Sequence, residues 1–412
     1  MLKLNARLPE TWDAEPFVAR LCAPDGAVEP PGETGIDGGR DGRTWLVAAQ
    51  DSGHAPHPRT FALEQHADGS GPPVRLPRSG AAAGLELPES LGYLQAGDIV
   101  RVSPRAGEVW VMYRRESRFN AMLLTEQCNS ECLMCSQPPK AAADRHLIDA
   151  YLAAIPLMDH GTPELGITGG EPTLLGDRLL EVLRACRDVL PGTAVHMLTN
   201  GRLFQYLSLA RAVAEIRHPD LVLGIPVYSD LAGRHDYVVQ AEGAFDQTVR
   251  GLLNLARCGV RIEVRVVLHR ETIPRLPQLA RFLARNFPFV EHVALMGLEM
   301  MGYVRMNLES LWIDPVDYQR ELVAAVRHLS RHGLATSIYN LPLCLLDREL
   351  WPFARQSISD WKQEYLEECR ECAVRPECGG LFASAQLRRS DHIRAIGPEA
   401  AAVAGTGEGS PR

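Results

Sequence analysis

The chain is 412 residues long, 46% hydrophobic and 23% charged, with a formal net charge of −8. That length supports two or three domains around a large core, and an acidic balance with no basic stripe argues against a nucleic-acid partner. No apolar run approaches a membrane span and the N-terminus lacks the apolar core of a secretory signal, so a cytoplasmic protein without membrane contact is expected. In that compartment ten cysteines favour metal or cluster ligation over disulfides.

Residues 1–118 carry short strand-like runs at Thr44–Ala49, Arg59–Leu63, Asp98–Val102 and Glu108–Tyr113, separated by Gly/Pro-rich stretches at 23–43 and 68–84. This pattern predicts a small β-rich domain. Nothing in it has catalytic spacing; a structural lid and a holder of a peptide or partner fit equally.

Over 119–340 strand-like and helix-like segments alternate. Strands are expected at Ala121–Thr125, Leu165–Thr168, Ala194–Leu198, Leu221–Tyr228, Ile262–Leu268 and His292–Met296. Helices are expected near 145–158, 177–189, 203–214, 246–258, 275–286 and 315–332. Consecutive β/α units predict a parallel sheet. The expected fold is α/β: a partial (β/α)6 TIM-like barrel, open on one side, with its site at the C-terminal ends of the strands. A cysteine-rich region at 341–388 and a small-residue tail at 389–412, expected to be disordered, complete the chain.

The first chemical motif follows the first core strand. Cys128, Cys132 and Cys135 are spaced to hold three irons of a cubane cluster, which leaves the fourth iron open to a substrate or cofactor. Zinc or three structural cysteines are the alternatives. Zinc usually takes four ligands, and the nearest further candidate, His146, falls in a helix-like stretch.

The second strand ends in Gly169-Gly170-Glu171-Pro172. Paired glycines let the backbone curl close to a ligand, and the Glu171 carboxylate could receive an ammonium group; alone, the motif is an ordinary strand-to-helix turn. Thr199 and Asn200 end the third strand at the expected active-site end, and Ser229 and Asp230 end the fourth. Arg234, His235 and Asp236 read as loop surface, though Arg234 could pair with a carboxylate. His269 and Glu299, after strands five and six, are candidate proton acceptors, against the plainer role of polar residues at a loop edge.

Near the C-terminus stand Cys344, Cys369, Cys372 and Cys378. Four thiolates suit a closed zinc site or a fully ligated cluster. Cys22, Cys186 and Cys258 have no ligand-like spacing.

The three-cysteine motif followed by Gly-Gly-Glu-Pro one β/α unit later resembles the signature of the radical S-adenosylmethionine (SAM) enzymes. The resemblance implies a [4Fe-4S] cluster with an open iron on Cys128, Cys132 and Cys135, reductive cleavage of SAM there, and a 5′-deoxyadenosyl radical that abstracts hydrogen. It further implies an electron donor, Met134 packing near the adenine, Gly169 to Pro172 gripping the SAM amino group, and Ser229 or Asp230 on the ribose. The C-terminal spacing resembles the start of the SPASM/twitch extensions of peptide-modifying members, with fewer cysteines. It implies one auxiliary [4Fe-4S] cluster, with zinc as the alternative.

Longer stretches are more specific. They are Leu124-Thr-Glu-Gln-Cys-Asn with Cys132-Leu-Met-Cys-Ser-Gln-Pro-Pro; Gly224-Ile-Pro-Val-Tyr-Ser-Asp with His235-Asp-Tyr-Val-Val-Gln-Ala; Arg265-Val-Val-Leu-His-Arg with Ala294-Leu-Met-Gly-Leu-Glu-Met-Met-Gly; and Trp351-Pro-Phe-Ala-Arg-Gln-Ser-Ile-Ser-Asp-Trp-Lys. Together, over about 118–386, they resemble the C-type radical SAM maturases (HxsC) of the His-Xaa-Ser peptide system. That implies post-translational modification of a ribosomally made precursor peptide with His-Xaa-Ser repeats. It also implies a companion radical SAM maturase and a small accessory protein. The rival classes are a radical SAM enzyme acting on a small molecule or folded protein, and a non-catalytic iron–sulfur or zinc protein.

Overall fold

The structure is a computed structural model that describes residues 3–5, 16–22, 44–49, 60–64, 85–87, 93–103, 105, 108–141, 143–356 and 363–398. The Gly/Pro-rich stretches at 23–43 and 68–84 lie outside the described residues, as do 357–362 and 399–412.

Two sheets form the molecule. The N-terminal sheet contains β1 (Lys3–Asn5), β2 (Phe17–Cys22), β3 (Thr44–Ala49), β4 (Thr60–Glu64), β5 (Leu85–Leu87), β6 (Ile99–Ser103) and β7 (Glu108–Tyr113), in the order β1-β7-β6-β2-β4-β3-β5. Its pairs are antiparallel except β3 with β5. β1, β2 and β5 were not expected; β1 and β5 are only three residues long, too short for an alternation to show.

The second sheet is wholly parallel. It runs β8 (Asn120–Leu123), β9 (Glu164–Thr168), β10 (Ala194–Leu198), β11 (Leu221–Pro226), β12 (Arg261–Leu268), β13 (His292–Gly297) and β14 (Ala335–Tyr339), each beside the next. The crossovers are α1 (Arg145–Ala154), α2 (Asp177–Val189), α3 (Leu207–Ile216), α4 (Ala232–Val239) with α5 (Ala244–Arg257), α6 (Leu276–Asn286), and α7 (Leu308–Leu311) with α8 (Gln319–Arg331). Six β/α units are thus present as expected, and a seventh strand, β14, closes the series. β8 and β14 are the sheet's edges, so the barrel is partial and open.

The missed strand has a physical cause. Thr336 and Ser337 of β14 are polar yet buried. Thr336 Oγ1 donates to the Leu334 carbonyl and Ser337 Oγ meets His292 Nε2 at 2.9 Å. Hydroxyls satisfied inside the fold erase the apolar pattern that marks a strand.

Alternation along the strands places the main core. Ile167, Val195, Met197, Leu223, Ile225, Val264, Val266, Val293 and Leu295 pack beneath the helices. The two sheets meet along β7 and β8, where the Tyr113 hydroxyl lies 2.7 Å from Thr162 Oγ1. Among the described residues no helix is long and apolar enough to cross a membrane.

One boundary moves. Residues 389–398, assigned from composition to a disordered tail, fold back on the cysteine-rich region: Ser390 is buried, and Ala373 N donates to the Ile396 carbonyl at 2.9 Å.

Candidate active site

The loop after β8 carries Cys128, Cys132 and Cys135, and neighbouring turns hold it from several sides. From β9, Gly170 N donates to the Thr125 carbonyl and Glu171 N to the Gln127 carbonyl, both at 2.8 Å. From α4, the Val238 and Val239 carbonyls accept Leu133 N and Glu131 N. From the loop after β13, Tyr303 N donates to the Cys135 carbonyl at 2.9 Å and Asn307 Nδ2 to the Leu133 carbonyl at 2.9 Å. Arg202 braces the Asn129 carbonyl and Ser130 Oγ.

Close packing explains two glycines. A Cβ on Gly170 would overlap the Gln127 carbonyl, and one on Gly302 would overlap the Cys135 carbonyl, with φ +55° at Gly302. The space read from sequence as room for a ligand at Gly170 is taken on this side by the cysteine loop itself. Gly169 likewise abuts Thr125, its Cβ position 2.7 Å from that carbonyl.

The three thiols lie within electrostatic reach of one another. Burial, then the Glu171 carboxylate and Cys135, push Cys128 up to about 11; burial, then Cys135 and Cys128, push Cys132 up to about 12. A ligated metal must displace these protons. Among the described residues no group of three or more His, Cys, Asp or Glu side chains converges as a single metal ion requires. A cubane is a larger body, with each cysteine on its own iron.

Glu171 is completely buried. It caps the turn Pro172–Leu175, and its carboxylate accepts from Thr173 N, Thr173 Oγ1, Thr199 Oγ1 and Asn200 N. Burial raises its carboxyl despite these bonds. Asn200 continues the chain of contacts: Nδ2 donates to Asn129 Oδ1 at 2.6 Å and stands 4.0 Å from Cys128 Sγ. The structure therefore brings Gly169, Gly170, Glu171, Pro172, Thr199 and Asn200 together against the cysteine loop. Met134 is buried with Tyr228, Val238 and Met300 in a smaller core that also touches Cys132.

Other sequence candidates are placed differently. Asp230 accepts from Arg275 Nε at 2.7 Å and Nη2 at 2.5 Å, and that bidentate pair holds its carboxyl below the usual range. Ser229 is fully buried and accepts from Leu231 N. Both polar groups expected on the ribose are thus engaged within the protein. Arg234 turns to the Glu271 carbonyl, and Asp236 accepts Gly243 N and Phe245 N at the start of α5. His235 is not loop surface: it is buried, stacks on Tyr228 and accepts Tyr228 N, and burial pushes it down to about 4.

His269 changes role. It is fully buried, and burial pushes the ring down to about 3, so it is neutral. Nδ1 accepts from Glu271 N, which leaves the proton on Nε2, a buried N–H with no partner. At that atom it is a donor rather than the proton acceptor expected. Glu299 is half-buried in the loop after β13.

The C-terminal cysteines share the wall of one pocket. Cys344, Cys369, Cys372 and Cys378 line one small cavity with Tyr365 and Ile396 among its walls. Main-chain N–H groups already point at sulfur: Leu343 and Gly380 at Cys378 (3.4 and 3.5 Å) and Ile396 at Cys372 (3.4 Å). Such bonds suit thiolates. Cys186 lies in the main core and Cys258 packs against it, while the side chain of Cys22 lies outside the described residues.

Sequence reasoning missed a buried polar group on the other face of the sheet. His196, Glu263, Arg265, His292 and Ser337 meet there, drawn from β10, β12, β13 and β14. The signal was available as charged residues inside otherwise apolar strands.

Residues 122–283 match the family model described as the Radical SAM superfamily. A protein of Sulfurisphaera tokodaii named "Probable GTP 3',8-cyclase" is 24% identical over 196 residues, 45% of this chain and 58% of the relative. The Fe-coproporphyrin III synthase of Methanosarcina barkeri is 25% identical over 159 residues, 38% of each chain. The chain thus spans under two thirds of both relatives. Among solved structures, Streptococcus suis SuiB bound to precursor peptide SuiA aligns with a TM-score of 0.43 at 14% identity, over 55% of this chain and 49% of that one. Residues 122–283 of this chain form a radical SAM superfamily domain.

Proposed function

We propose that this chain is a radical SAM enzyme that modifies a ribosomally made peptide with His-Xaa-Ser repeats. One observation carries the enzymatic part: Glu171 and Asn200 lock the Gly-Gly-Glu-Pro turn, the turn after β10 and the cysteine loop into one unit. Cys128, Cys132 and Cys135 would hold the catalytic cluster, and the main chain at Gly169 and Gly170 with the Glu171–Asn200 junction would orient SAM. When bound, the cluster and SAM supply a 5′-deoxyadenosyl radical that takes a hydrogen atom from the substrate. The chain's part is to bind, to orient and to exclude water. The apolar collar of Met134, Tyr228, Met300 and Val304 serves the last of these. Glu299 is the proton acceptor in this proposal, and His269 supplies a neutral N–H.

The peptide substrate rests on the specific sequence stretches and on the C-terminal cysteine cavity. Cys344, Cys369, Cys372 and Cys378 would hold an auxiliary [4Fe-4S] cluster. An electron donor, a companion maturase and a small accessory protein complete the proposed system.

The test is anaerobic coexpression with a His-Xaa-Ser-repeat peptide, followed by mass spectrometry of the peptide. A mass change that is lost in Cys132→Ala supports the proposal. Production of 5′-deoxyadenosine with the peptide unchanged would move the substrate to a small molecule or folded protein. Normal SAM cleavage by Cys132→Ala would sink the enzymatic assignment.

A further inference from the structure

The inner face of the sheet carries a polar floor that the cysteine and glycine motifs do not use. Ile262, Val264, Val266 and Leu268 of β12 are buried beneath the helices, which turns Glu263, Arg265 and Val267 to the opposite face. Glu263 is 8% exposed. Its Oε1 accepts Arg265 Nη1 at 2.8 Å, and its Oε2 lies 2.7 Å from His292 Nδ1. His292 Nε2 meets Ser337 Oγ, and His196 Nε2 stands 3.4 Å from Glu263 Oε1. Gly224 of β11 leaves the space for this meeting; a side chain there would crowd His196 and Arg265.

Arg265 leaves most of its donors unspent. Among the described residues its only other bond is Nη2 to Met296 Sδ at 2.9 Å, and a thioether is a weak acceptor. The side chain is 15% exposed. A guanidinium is a rigid fork of N–H groups suited to carbonyl and carboxylate oxygens. The donors not spent on Glu263 and Met296 are open to an incoming oxygen. Its direction is set by Met296, which pairs with Val267, two residues nearer the C-terminal ends than Arg265. Tyr228, also at that end, lies within electrostatic reach of Cys132, Cys135 and Arg265 alike.

We infer that Arg265 is a substrate-binding residue whose free N–H groups take a carbonyl or carboxylate oxygen of the bound peptide. Glu263, itself held by His292 and Ser337, is the positioning residue that aims the guanidinium. The inference rests on the peptide reading above. The oxygen belongs to the peptide rather than to SAM because Arg265 stands within β12, whereas the turns proposed for SAM follow β9 and β10.

The test measures anaerobic binding of a synthetic His-Xaa-Ser-repeat peptide, and separately of SAM, to the reconstituted holoenzyme. Arg265→Met should weaken peptide binding about ten- to a hundredfold, with a smaller change in SAM affinity. Arg265→Lys keeps the charge without the fork and should fall between; it also stands in if the methionine variant does not fold. Glu263→Gln should raise KM for the peptide more than it lowers kcat. Peptide affinity equal to wild type in both Arg265 variants would overturn the assignment. So would a loss confined to SAM, which would give Arg265 to the SAM carboxylate. A wild type that cleaves SAM but does not bind the peptide would overturn the peptide reading and this assignment together.

Discussion

The main-chain N–H of Asn200 donates to Oε2 of Glu171 at 2.6 Å, tying the turn after β10 to the turn after β9. Oε1 of the same carboxylate accepts Thr173 N at 3.0 Å, Thr173 Oγ1 at 2.5 Å and Thr199 Oγ1 at 2.7 Å. An ionised carboxylate only accepts, so both oxygens face donors. Glu171 is therefore a structural junction before it is a contact for any ligand.

Glu171→Gln should expose that role. The amide would set an NH₂ group against donors from Thr199 or Asn200, at a cost of about 1–3 kcal/mol. The denaturant midpoint and the iron content of the variant should both fall. If they hold while SAM affinity drops ten- to hundredfold, the carboxylate meets the SAM ammonium directly instead.

What could be read from the chain divides along a physical line. β10, whose Val195 and Met197 are buried in the core, was legible at its observed bounds. β14 was not, because Ser337 gains its partner, His292, from a different part of the sequence. The cysteine spacings were legible, since ligand spacing is local. The engagement of Asp230 by Arg275, and the meeting of Glu263 with His292, depend on strand register and crossovers, which no local pattern encodes.

Gly170→Ala and Gly302→Ala should both disturb the cysteine loop. Each added methyl would meet a main-chain carbonyl rather than a mobile side chain, at Gln127 and Cys135 respectively. Overpacking of this kind costs about 1–3 kcal/mol, with a further penalty at Gly302, where φ is positive. Gly233→Ala is the contrast. It lies in α4 with open space around its Cβ position, and should stabilise by about 0.5–1 kcal/mol. Denaturant midpoints and iron retention measured on the three variants would show the opposite signs; equal effects would mean the close approach at the loop is not real.

The Glu263 network predicts an acid-dependent stability. Burial alone would raise this carboxyl, but the nearby His196, the hydrogen bond with His292 and the Arg265 charge outweigh it and hold the carboxyl well below the usual range. A depressed carboxylate contributes stability above its unfolded value, about 4.3, and loses it as pH falls further. Glu263→Gln should cost about 3 kcal/mol near neutral pH by leaving Arg265 uncompensated. Denaturant midpoints followed from about pH 6 to below about pH 4 should fall less steeply in the variant than in wild type. Parallel curves would place the acid sensitivity elsewhere.

Cys344, Cys369, Cys372 and Cys378 surround a cavity, and main-chain N–H groups from Leu343, Gly380 and Ile396 face two of the sulfurs. Four thiolates suit either a tetrahedral zinc or a fully ligated cubane, and beside a radical SAM domain the cubane is the reading proposed. A variant with Cys128, Cys132 and Cys135 all changed to Ala should therefore still carry iron and sulfide of about one cubane cluster. Metal analysis that instead finds one zinc and no iron would make this region a structural staple. Cys369→Ala in the otherwise intact chain separates the two centres by function. SAM cleavage that persists while peptide modification stops would assign the C-terminal centre to the substrate side of the reaction, and loss of both together would show that the two centres do not act independently.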